Sequence, residues 1–197
     1  MSSHHFVREG QEPALFIVDP VPFDVVAGLL EWSPAVIATA QSLQHVISWG
    51  IKVDVVMVRE HDIDMIRPLV ADLTPVRILP YDEEVRLFQT CLNFLAGEGQ
   101  HNVTIATSDV FQIFPLLQDH LTSFGVVVHN EVSRWVPVLK TLEKWVPVNT
   151  AFKIQKTNPD SSVFYSGLTE VADDLISSQD GFIRFWSQDL FWVGQTF

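Results

Sequence analysis

The stretch "GIKVDVVMVREHDID", residues 50–64, decides the reading of this chain. An apolar run, Val53 to Val58, ends abruptly in Arg59-Glu60-His61-Asp62-Ile63-Asp64. Val-rich runs without polar alternation are the pattern of strands covered on both faces, as in parallel sheets. The carboxyl ends of such strands open into the crevice where ligands and metals collect. The stretch therefore predicts a buried parallel strand followed by a charged loop, and that loop is a candidate site.

The same pattern recurs along the chain. Residues 14–19 (ALFIVD), 35–39 (AVIAT), 76–80 (VRILP), 103–107 (VTIAT) and 125–130 (GVVVHN) read as further strands. Helical spacing fills the gaps. In "DEEVRLFQTCLNFLAGEG", Val85, Phe88, Cys91, Leu92 and Leu95 fall on one face, with Asp82 as the expected cap and Gly97 or Gly99 as the stop. "AQSLQHVISWG" and "DVFQIFPLLQDHL" are also helical, the second disturbed by Pro115. Repeated strand–helix alternation predicts a three-layer α/β/α domain on a mostly parallel sheet.

The pattern changes near Trp135. Two WVPV segments stand ten residues apart, and "SVFYSGL", "GFIRFW" and "LFWVGQTF" follow. This predicts a small antiparallel β-sandwich, with Ser187-Gln188-Asp189 turning the last two strands into a hairpin. Domains are accordingly placed at 1–138 and 139–197. The tail is crowded with Phe182, Phe185, Trp186, Phe191, Trp192 and Phe197. So small a domain needs help to cover them, which predicts a core plus a homodimer face.

Composition sets outer bounds. The chain has 197 residues, is 47% hydrophobic and carries a single cysteine, so a core can form without disulfides. The expectation is a cytoplasmic protein with no secretory leader and no membrane span. The net charge of −12 argues against nucleic acid as a partner. His4-His5 reads as part of a tail rather than a metal pair, and Cys91 as a packed core thiol. His45, His101, His120 and His129 read as structural or solvated. No Gly-rich phosphate loop, dinucleotide fingerprint, nucleophile elbow or Cys/His metal pattern is present in the sequence.

This order of elements resembles the thiamine pyrophosphokinase family, whose members pass a pyrophosphoryl group from Mg-ATP to thiamine. The family's Gly-Ile-x-Pro-Asp is echoed by Gly50-Ile51-Lys52-Val53-Asp54. Its Gly-Asp-Phe-Asp-Ser aligns with Val58-Arg59-Glu60-His61-Asp62, and its Asp-Gly-Gly-Ala turn falls at Thr39, Ala40 and Gln41. Its Lys-Asp-x-Thr-Asp falls at Glu83-Glu84-Val85-Arg86-Leu87. Its Gly-Gly-Arg-x-Asp-His falls near "TSDVFQIF", where Asp109 is the nearby acid. In the β domain, Gly167-Leu168 and Ser178-Gln179 stand where the family has Gly-Leu and a thiamine-contacting Ser-Asn.

The resemblance implies a homodimer that binds thiamine-like molecules or nucleotides and, if active, uses Mg²⁺ and ATP. It nominates Asp62, Asp64, Glu84 and Asp109 as catalytic residues, with Asp62 and Asp64 as metal ligands. Arg59, His61, Ser178, Gln179 and Trp186 are the candidate ligand contacts. Mg²⁺ takes hard oxygen ligands in strict octahedral geometry. Arg59 at an acidic position reverses the local charge, and Leu87 at another supplies no ligand. The sequence thus leaves two functions open: a kinase with altered acidic motifs, or a non-catalytic binding or regulatory protein on the same scaffold.

Overall fold

The computed structural model describes residues 12–73, 75–83 and 86–197. His4, His5, Glu84 and Val85 lie outside the described residues. The chain divides into two compact units, the first ending at Val126 and the second running Val127–Phe197.

In the first unit, strands β1 (Ala14–Ile17), β2 (Val36–Thr39), β3 (Val55–Arg59), β4 (Arg77–Tyr81) and β5 (Asn102–Ala106) form a sheet in the order β5-β1-β2-β3-β4. Every pairing among them is parallel. Between them run helices α1 (Asp24–Leu30), α2 (Ala40–Ser48), α3 (Ile63–Val70) and α4 (Leu87–Gly97), with α5 (Val110–Leu117) following β5. Side-chain alternation along the strands separates the two faces. Leu15, Ile17, Ala38, Val56 and Val58 pack with Val26 of α1, Leu43 and Val46 of α2 and Ile66 and Val70 of α3. On the opposite face, Phe16 meets Phe88 of α4 edge-on, ring centroids 5.7 Å apart. The sheet is therefore covered on both sides, as the continuous Val and Ile runs predict. Cys91 lies fully buried on the apolar stripe of α4, and burial pushes its thiol pKa up. It is a core thiol.

Three local expectations change. The charged segment after β3 is not an open loop. Glu60–Asp62 make a 3-10 turn that runs directly into α3, whose Ile66 and Val70 recur at helical spacing and anchor it to the sheet. Asp82 does not cap α4. The helix begins at Leu87, while the Asp82 carboxylate accepts from the Glu83 amide at 2.9 Å and lies 3.5 Å from the Arg86 guanidinium. The helix stop is Gly99, at φ +75, where the Gln100 amide reaches back to the Leu95 carbonyl at 2.8 Å. Pro115 is accommodated inside α5, which closes after Leu117 in a 3-10 turn at Gln118–His120.

The second unit is a two-sheet antiparallel sandwich. One sheet orders β11 (Leu168–Val171), β12 (Asp174–Ser177), β9 (Ala151–Lys156), β14 (Phe191–Thr196), β7 (Ser133–Val138) and the end of β6 (Gly125–His129). The other is β10 (Phe164–Ser166), β13 (Gly181–Trp186) and β8 (Thr141–Val146). Val138, Phe152, Leu175, Phe191 and Val193 from the first sheet and Val146, Ile183 and Phe185 from the second share one core.

The hairpin expected across Ser187-Gln188-Asp189 does not form. β13 pairs with β8 and β10, whereas β14 pairs with β7 and β9 in the other sheet. The connection crosses the sandwich because β14 is buried from Phe191 to Gly194 and needs a strand on each side. Gly194 sits opposite Trp135, whose ring carbons would lie 2.5 Å from any added Cβ. The Trp135 indole N–H donates to Ser133 Oγ at 2.8 Å and fixes the ring there.

Candidate functional site

The order β5-β1-β2-β3-β4 places the topological switch point between β1 and β5, since the chain builds outward from β1 on one side and returns to its other side with β5. The residues just past these two strands are Val18-Asp19 and Thr107-Ser108-Asp109. They hold one another. The Asp19 carboxylate accepts from Thr107 Oγ1 at 2.8 Å and from the Ser108 amide at 2.6 Å. Asp109 caps α5, accepting from the Phe111 amide at 3.0 Å through Oδ1 and from Gln112 Nε2 at 2.9 Å through Oδ2. Each oxygen of both carboxylates already accepts a hydrogen bond.

Next to it, the end of β2 is equally closed. Thr39 caps α2 in a reciprocal box with Ser42. Thr39 Oγ1 donates to the Val18 carbonyl at 2.5 Å, and Ser42 Oγ to the Ile17 carbonyl at 2.8 Å. This is where the resemblance places a Gly-rich turn. In its stead two hydroxyls tie the start of α2 to the end of β1.

At the end of β3, Arg59 is exposed, and His61 Nε2 lies 3.6 Å from Asp62 Oδ2. Asp62 is half-buried in the 3-10 turn and Asp64 is exposed in the first turn of α3. Two residues apart on helical backbone, their side chains leave the axis roughly 200° apart, which does not aim both carboxylates at one ion. Among the described residues, no group of three or more His, Cys, Asp or Glu side chains could hold a metal. Among the described residues, the donor set at this edge does not fit Mg²⁺, which asks for several hard oxygens converging on one point.

The candidates in the second unit separate as well. Ser178 and Gln179 are exposed in the bend after β12, just before β13 begins, while Trp186 ends β13. A six-residue strand puts its two ends on the order of 17 Å apart, too far for one small ligand to touch both. It is the neighbouring Ser177 that is buried, donating to the Pro147 carbonyl at 2.6 Å and accepting from the Thr150 amide at 2.8 Å. Trp186 stacks on Phe164, centroids 5.9 Å apart, beneath the Arg184 guanidinium at 5.6 Å.

His45 is structural: its Nε2 is 2.8 Å from the Val21 carbonyl and its ring meets Trp49 edge-on. His101 packs at a tilt on Phe124. His129 is buried, stacked on Phe197, and its pKa is lowered to about 4, first by burial and then by the Arg134 charge beside it. Sequence reasoning passed over Asp19, Ser42 and Thr107. The signals were an acid two residues past a buried strand and Thr-Ser-Asp ahead of an apolar helix.

A parallel sheet covered by helices on both faces and followed by a two-sheet antiparallel sandwich defines the fold of the thiamine pyrophosphokinases. Thiamine pyrophosphokinase from Bacillus subtilis superposes with a TM-score of 0.68 at 8% identity, over 93% of this chain and 98% of that one. The Candida albicans enzyme gives 0.66 at 10% identity over 93% and 89%, and the yeast enzyme 0.65 at 7% over 95% and 87%. No protein-family model matches the sequence, and no curated protein matches it either. At these identities the likeness establishes the fold.

Proposed function

We propose that this protein is a homodimeric, cytoplasmic small-ligand-binding protein on the thiamine pyrophosphokinase scaffold, and that it does not transfer pyrophosphate. Its ligand is a thiamine-like molecule or a nucleotide. The first unit, ending at Val126, corresponds to the catalytic domain of that scaffold, and the second, Val127–Phe197, to its thiamine-binding domain. The observation that carries the reading is the state of the carboxyl edge. Asp19 and Asp109 are turned inward by hydrogen bonds to Thr107, Ser108, Phe111 and Gln112, and Arg59 brings a positive charge to the end of β3. Phosphoryl-type transfer rests almost wholly on positioned metal ions and cations, and this edge is organised to cap helices. Among the described residues, no helix is long and apolar enough to cross a membrane.

Incubation with thiamine and Mg-ATP is expected to give no thiamine diphosphate or AMP above a protein-free control, while calorimetry detects thiamine or a non-hydrolysable ATP analogue binding. Turnover abolished by Asp62→Asn, Asp64→Asn or Asp109→Asn would restore the kinase reading. Absence of binding to either would remove the ligand assignment.

The dimer rests on the outer face of the three-stranded sheet. Phe182, opposite Trp145 in register, is 70% exposed, Trp145 is 54% and Phe164 is 53%. Exposed aromatics at both ends of one sheet face mark a protein contact, and Arg184 opposite Glu143 between them gives it a charge pair that a twofold axis can exchange. Phe182→Asp combined with Trp145→Ser is expected to convert dimer to monomer in analytical ultracentrifugation. An unchanged sedimentation coefficient would exclude this face.

A further inference from the structure

The larger sheet of the sandwich carries a row of residues in register: His129 on β6, Arg134 on β7, Gln195 on β14 and Phe152 on β9. Directly opposed residues point to the same side of a sheet. Phe152 lies in the shared core, so the whole row faces the smaller sheet. That sheet is too narrow to cover it. Phe185 of β13 meets Phe152, and Lys144 of β8 donates to Gln195 Oε1 at 2.7 Å, which sets β13 over β9 and β8 over β14. β8 is the edge strand of its sheet, so Arg134 and His129 lie beyond that edge. Arg134 and Lys144 are both half-buried at this margin.

What gathers there is donors. The Lys144 bond fixes the Gln195 amide, its oxygen turned to the ammonium and its Nε2 protons left to give. Lys144 keeps further protons of its own, and the Arg134 guanidinium is a donor on every nitrogen. Among the described residues, neither cation has a carboxylate within ion-pair distance. Acids are not scarce, since the chain holds 24 Asp and Glu against 12 Lys and Arg. The two charges act on each other. Burial first, then the Arg134 charge, holds the Lys144 pKa below the usual lysine value, and Arg134 acts on His129 in the same sense. Like charges brought together without a counter-ion cost stability, which a bound anion restores.

We propose that Arg134, Lys144 and Gln195 bind a small oxyanion of the phosphate class, either the free ion or the phosphoryl group of a small ester. Two positive charges match a dianion. A guanidinium grips phosphate oxygens two at a time, and an ammonium acts on them as a point charge. Donors arrive from three strands, β7, β8 and β14, which suits a tetrahedral ion better than a flat carboxylate. The site does not rest on the function proposed above. Glu143 and Trp145 leave β8 on the side away from Lys144, so the dimer face is separate, and no residue of the carboxyl edge takes part.

The test is a titration of the full chain with inorganic phosphate and with glycerol phosphate, at ionic strength held constant by chloride, followed by backbone and side-chain amide NMR. Acetate is the carboxylate control. At least one of the two phosphates is expected to saturate at millimolar concentration and to shift the Gln195 side-chain amide and the backbone amides of Arg134 and Lys144. Tighter binding of inorganic phosphate names the free ion as the ligand, and tighter binding of the ester names an organic phosphate. Arg134→Gln and Lys144→Gln should each weaken binding at least fivefold. Lys156→Gln makes the same change of charge at an exposed position at the far end of β9 and should leave affinity unchanged. The proposal is overturned by the absence of a saturable shift from either phosphate, by acetate binding as tightly as phosphate, or by equal affinity in Arg134→Gln, Lys144→Gln and Lys156→Gln. Unfolding midpoints of the variants, matched to the parent, separate lost affinity from lost structure.

Discussion

Phe185→Ala is expected to cost about 3–5 kcal/mol of stability, a large share of the 5–15 kcal/mol typical of a folded domain. Phe185 is fully buried on β13 and meets Phe152 of the facing sheet edge-on, centroids 5.7 Å apart. The two rings join the sheets of the sandwich, so truncation removes aromatic contact and leaves a cavity between layers that cannot close up without moving strands. Urea denaturation checks it through the shift in midpoint at unchanged slope. Phe185→Leu keeps most of the volume and should cost roughly 1.5 kcal/mol or less. Equal stability of Phe185→Ala and the parent would mean that the core does not run through this ring.

Acid is expected to destabilise the protein through His129. Burial and the neighbouring Arg134 lower its folded pKa to about 4, against roughly 6.5 in an unfolded chain. Between those values the unfolded state binds a proton that the folded state does not, so stability falls as pH falls through this window. The contribution is whole above about pH 6.5 and, from the spacing of the two pKa values, amounts to about 3 kcal/mol when fully lost below pH 4. Carboxylates titrate in the lower part of the same range, so the informative quantity is the difference between the parent and His129→Gln. Unfolding free energies measured at intervals from pH 7.5 to 4 should show a shallower slope in the variant. Parallel slopes would remove His129 from the acid response.

Much of the fold was legible because burial on both faces writes itself into sequence. The run Val55–Val58 is fully buried, and every predicted strand of the parallel sheet lies within a residue or two of its observed bounds. The continuation into α3 was obscured because Arg59 to Asp64 is polar where it faces solvent, and only Ile63, Ile66 and Val70 carry the helical period. The false hairpin has another cause. Turn chemistry reports how a chain bends, and both β13 and β14 bend away from Ser187; which sheet each joins depends on non-local partners. At the site, the acids were visible but not their use. Asp109 reads equally as a ligand or as a helix cap, and only the positions of Phe111 and Gln112 decide between them. Asp19 meets Thr107 and Ser108 across a parallel pairing that no local pattern announces.

The place of β14 between β7 and β9 bears on how the protein comes into being. β7 and β9 are not bonded to each other; on their facing sides each bonds to β14, the strand that fills the gap between them, while β6 and β12 pair with their outer sides. During synthesis both must wait, with facing edges open, while residues 157–190 and then β14 itself are added. Open edges of this kind recruit other chains, and late, long-range closure is slow. The second unit thus cannot assemble strand by strand as it leaves the ribosome. Its larger sheet closes only when the last strand, β14, enters between β7 and β9.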